Sequence, residues 1–111
     1  MSSKAIVRHQ DEEFVRAFLK QVKHTEDTHG VLVEVELAYT GRAGVMCICL
    51  VAVESRETVN LSRPIVRYRT EYPNSHVASL AATLYQAACK LDSMVYEYRH
   101  TEEATRRPIW G

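Results

Sequence analysis

The spacing of apolar side chains changes twice along this chain. Over residues 11–28 they recur at Phe14, Val15, Phe18, Leu19 and Val22, the three-and-four interval of one helix face. Asp11, Glu12 and Glu13 then fall in the first turn, at the positive end of the helix dipole, and Gly30 behind His29 supplies a stop. From Val31 the interval drops to two. In VLVEVELAY, Val31, Val33, Val35, Leu37 and Tyr39 alternate with Glu34 and Glu36, the signature of a half-buried strand. Gly41 and Gly44 in TGRAG offer the positive φ that a hairpin connection needs. The next stretch, VMCICLVAVE, is apolar in both of its alternating rows and predicts a strand covered on both sides. A turn near 55–57 leads to a third extended segment ending at Tyr72, in which Pro64 cannot donate to a ladder. That segment is expected to be an edge strand with a bulge.

A helical interval then returns. Asn74 or Ser75 is the expected N-cap of a helix running to Arg99, with Val77, Ala81, Leu84, Ala88, Leu91, Val95 and Tyr98 in one stripe. Ala78, Ala82 and Ala87 widen that stripe with small side chains, which permit close approach to a sheet. The fold class predicted is α+β: a two-layer α-β-β-β-α domain over residues 1–100, then an extended C-terminal tail over 101–111. Its sheet is expected to be a three-stranded antiparallel meander with both helices on one face.

In such a meander Val33, Val35 and Leu37, with Val66, Tyr68 and Tyr72, are expected under the helices. The opposite face then carries Glu34 and Glu36 on one edge and Arg63, Arg67 and Arg69 on the other, with Met46, Ile48 and Leu50 between them. A wet apolar row flanked by opposite charges is unusual for a monomer. Two copies stacked about a two-fold axis along the middle strand would cover it and bring each acidic edge onto a basic one. If the strand order differs, the same charges are ordinary cross-strand neighbours. The tail RHTEEATRRPIWG adds Arg106, Arg107, Ile109 and the sole tryptophan, Trp110, residue types of an interface hot spot. The alternative for Trp110 is that it folds back on its own sheet.

Composition narrows the choice. A length of 111 residues, 46% hydrophobic and 25% charged, fits one soluble globular domain. Fourteen basic residues balance fourteen acidic ones, so a nucleic-acid site, if present, is a local patch. Its candidates are Arg63, Arg67 and Arg69 with the helix start at Ser75 and His76, where free N–H groups can take an anion. Tyr68 lies on the opposite side of the strand and cannot stack a base beside those arginines. The element order resembles that of the double-stranded-RNA-binding domain. That family opens its last helix with lysines, whereas the corresponding stretch here, PNSHV, has none.

The reactive residue types form no catalytic signature. Cys47 and Cys49 form a C-x-C pair with Cys89 far away, and no second C-x-x-C or H-x-x-x-H completes a zinc site, so packed thiols are expected. His9, His24, His29, His76 and His100 are scattered, and no phosphate-loop, dinucleotide or hydrolase motif occurs. No enzyme activity, metal or cofactor is expected. No apolar run is long enough to span a membrane, MSSKAIVRHQDEE lacks a signal-peptide core, and three cysteines make no disulfide framework, so the expected location is the cytoplasm. The expectation is a small protein-interaction module, either a subunit of a homo-oligomer or an inhibitor or adaptor that covers a partner's site. A viral or phage origin fits the compactness, although no residue marks it.

Overall fold

The computed structural model describes residues 2–42, 44–56, 61–73, 79–101 and 107–110. Six elements follow in chain order: α1 (Ser2–His29), β1 (Leu32–Tyr39), β2 (Val45–Arg56), β3 (Leu61–Pro73), α2 (Leu80–Arg99) and β4 (Ile109–Trp110). The strands form one sheet in the order β1-β2-β3-β4, antiparallel except for the short parallel pairing of β4 with β3. The class is α+β, and the three long strands make the expected meander.

Helix α2 builds the core. Ser79 caps its start, its hydroxyl accepting from the Ala82 amide at 3.1 Å with an extended backbone (φ −68°, ψ 157°). Its buried stripe of Ala87, Ala88, Leu91, Val95 and Tyr98 closes over Ile48, Leu50, Ala52 and Val66 of the sheet. The alanines remove bulk where helix and strands approach, and each large side chain buried there contributes about 1.5–3 kcal/mol. The cap lies later than the expected Asn74 or Ser75; β3 continues to Pro73, and residues 74–78 fall outside those described.

Helix α1 lies beside α2. Thr25, only 1% exposed, donates to Asp92 Oδ1 at 2.8 Å, and His29 Nε2 meets the same oxygen at 3.3 Å. Arg99 of α2 donates to the carbonyl of His29 at 2.9 Å and so satisfies one of the open acceptors at the end of α1. Gly30 then turns the chain with φ 66°. The helix begins at Ser2, nine residues before the expected start, so Asp11, Glu12 and Glu13 sit in its interior. Nothing in SSKAIVRHQ breaks a helix, and Lys4, Ala5, Arg8 and Gln10 favour one.

Register corrects the orientation expected for β2. Val33, Val35, Leu37 and Tyr39 pair with Ala52, Leu50, Ile48 and Met46. Antiparallel partners share a face, so this row, with Val66, Tyr68 and Tyr72, is the helix side. Ile48 and Leu50 are fully buried there and cannot line an outer face. Cys47, Cys49 and Val51 take the outer row instead. β2 is apolar in both rows, so its own pattern could not choose between them. Near Pro64 the expected bulge is present, between Ala52 and Val53, and the extra residue is Ile65.

Candidate functional site

The outer face of the sheet is organised in rungs. Glu34, Val51 and Arg67 are consecutive register partners across β1, β2 and β3; Glu36, Cys49 and Arg69 form the next rung. Trp110 pairs with Arg67 through β4 and joins the first rung, the Arg67 guanidinium carbon lying 5.0 Å from its ring centroid. The surface therefore reads acidic, weakly apolar, basic, then aromatic. Glu34, Glu36, Arg67 and Arg69 are exposed, whereas Cys47, Cys49 and Val51 are half-buried.

These charges do not neutralise one another within the chain. Strands are about 4.8 Å apart, so with β2 between them the acidic and basic rows are separated by about 10 Å. The strand order thus removes the cross-strand alternative. Glu71 is paired instead with Arg42 at 2.6 Å on the next rung. Arg69 Nε donates to Cys47 Sγ at 2.9 Å, and that bond raises the arginine's already high pKa. Burial pushes the Cys49 thiol above its ordinary range, with Arg67 opposing. A thiol shifted that way is a poor nucleophile at neutral pH.

Several expected site residues are placed elsewhere. Arg63 pairs with Glu54 beyond the bulge, which turns it to the side opposite Arg67 and Arg69. Met46, Ile48 and Leu50 belong to the helix side. Arg107 is exposed, Ile109 packs against the core, and Trp110 remains 51% exposed while its strand adds to β3. Arg106, Ser75 and His76 lie outside the described residues. The last helix described opens at Ser79. Between the helices, Asp92 takes both Thr25 and His29, so hydroxyl and imidazole meet the carboxylate rather than each other.

A second surface was not foreseen. Val35, Leu37 and Tyr39 lie on the helix side yet are 43%, 48% and 84% exposed, and Val15 and Leu19 of α1 are 44% and 59% exposed. Alternation alone marks Val35 and Leu37 as core positions; their exposure depends on where α1 lies, which no local pattern records.

Among the described residues no three of His, Cys, Asp or Glu gather as metal ligands, and no helix is long and apolar enough to cross a membrane. The chain matches no family model, no curated protein and no solved structure.

Proposed function

We propose that this protein is a non-enzymatic interaction module that works by surface contact, as a subunit of a homo-oligomer joined through the outer sheet face. The observation that supports this most is the rung-by-rung match of acidic and basic rows at equal distance from β2. A two-fold axis lying between two stacked sheets and parallel to β2 preserves position along the strand and reverses position across it. Glu34 of one copy then lies over Arg67 of the other, and Glu36 over Arg69. An in-plane axis across the strands would set acid over acid and base over base, so charge selects the first arrangement. Packed sheets cross at about 30°, which displaces a residue one strand off the axis by about 2.4 Å, less than one residue step. The pairing survives the twist.

In that arrangement Cys47, Cys49 and Val51 meet their own mates on the axis. Trp110 of one copy overhangs the acidic edge of the other, where Leu32 is 56% exposed. The reading predicts that Arg67→Glu with Arg69→Glu weakens self-association at least tenfold, because four pairs become repulsive at about 0.5–1 kcal/mol each. Light scattering over a concentration series measures it. An unchanged mass would reject the stacked face.

Arg67 beside Trp110 also supports a second reading, a single-stranded nucleic-acid platform that pairs a cation with a stacking ring. Glu34 and Glu36 on the same face and the zero net charge weigh against it. If the two arginine changes abolish salt-sensitive oligonucleotide binding and leave the mass untouched, that reading replaces the first.

A further inference from the structure

The free edge of β1 and the uncovered inner face beside it lie apart from the outer face of the sheet. β1 bonds to β2 on one side, and no described strand pairs with the other. The Val33 amide identifies which groups face that open edge. It donates 2.9 Å to Glu26 Oε2 of α1, while the Thr40 amide, of opposite parity, bonds to Val45 on β2. Amides alternate along a strand, so those of Val35, Leu37 and Tyr39 also point to the edge. Glu26 thus stands in for a neighbouring strand at Val33, and the three following positions lie open.

The same stretch exposes its side chains. Val33 is half-buried and packs against the core; beyond it exposure rises from 43% at Val35 to 48% at Leu37 and 84% at Tyr39. α1 forms the opposite wall. At 3.6 residues per turn, Val15, Leu19, Val22 and Glu26 fall within about 60° of one another. Glu26 reaches β1 and Val22 packs on the core, so Val15 and Leu19, 44% and 59% exposed, continue the stripe that faces β1. The result is an apolar trough floored by a strand whose backbone is free to pair.

We infer that this trough accepts an extended segment of a partner protein, which adds to the sheet beside β1. The segment places apolar side chains toward α1 and basic side chains on the outer side, next to Glu34 and Glu36. A second copy of β1 offers those glutamates no basic partner. Antiparallel pairing about a two-fold axis keeps faces matched only when the partner positions sum to an even number. Centred on Val35 it sets Glu34 against Glu36, and centred on Glu36 it sets that residue against itself, like charges that destabilise such pairs; centred on Leu37 it sets Glu36 against Ala38 and Glu34 against Thr40, so neither glutamate gains an opposite charge. Those glutamates therefore favour a basic strand over a second copy. An added strand lies in the plane of the sheet, so it leaves the outer face open to a stacked copy.

The test uses two synthetic octapeptides, alternating valine with lysine or valine with glutamate, titrated into the full chain. Amide hydrogen exchange and chemical shift are read together. The lysine peptide is expected to bind, to slow exchange at Val35, Leu37 and Tyr39, and to bind at least tenfold tighter than the glutamate peptide. Leu37→Asp should abolish that binding without changing the melting temperature by more than a few degrees. The Arg67→Glu, Arg69→Glu variant should bind the lysine peptide at least as tightly as the unaltered chain, since loss of the stack frees Glu34 and Glu36, and this separates the site from the outer face. Equal binding of both peptides, or unprotected β1 amides at saturation, overturns the inference. So does protection of those amides by raised protein concentration alone, since a second copy would then occupy the edge.

Discussion

Leu37 and Ile48 face each other across one rung, on the same side of the same sheet, yet Ile48 is fully buried and Leu37 is 48% exposed. The difference lies in the helix above each. α2 lies along β2 and β3 with small residues at the contact, capped at its start by Ser79. α1 is tied to α2 through Thr25, His29 and Asp92, and its described bond to β1 is the one that Glu26 accepts from the Val33 amide. One half of the molecule is closed by helix-on-sheet packing; the other has the same alternation and remains open. Apolar alternation states which residues can be buried, and the position of the covering element decides which are.

Substitutions can break that contrast. The largest effect is expected for Ile48→Ala, which removes buried atoms under α2 and should cost about 2–5 kcal/mol in chemical denaturation. A cost near zero would mean that α2 does not close over β2. Ser79→Ala should cost about 1 kcal/mol, the usual value of an N-cap side chain, because the Ala82 amide loses its acceptor. The smallest effect is expected for Leu37→Ala, within about 0.5 kcal/mol, as for other exposed positions. If Leu37→Ala costs as much as Ile48→Ala, the two halves are equally closed and the trough beside β1 does not exist.

Much of this architecture was legible in residue spacing. The interval change at residue 31, glycines with φ 88° and 76° at Gly41 and Gly44, and a bulge at Pro64 all correspond to structural features. The face of β2 was not legible, because both of its rows are apolar and the hairpin register alone chooses. Odd numbering groups Arg63 with Arg67 and Arg69, and the bulge that Pro64 signals reverses it. Sequence leaves Trp110 as either an anchor or a residue folded onto the sheet; in the structure it joins β3 and stays half exposed, stacked on Arg67. The charge bands themselves were readable from alternation once strand order was known, since parity places Glu34, Glu36, Arg67 and Arg69 on one face.

The central claim is that the acidic row of one copy lies over the basic row of another. Two variants test it when mixed. Arg67→Glu with Arg69→Glu makes both rows acidic; Glu34→Arg with Glu36→Arg makes both rows basic. Each alone should be monomeric, because every stacked pair is then repulsive. Combined at equal concentration they should form a one-to-one heterodimer by analytical ultracentrifugation, since each row regains an opposite charge. Two monomers that ignore each other, or variants that self-associate as the unaltered chain does, would contradict the account.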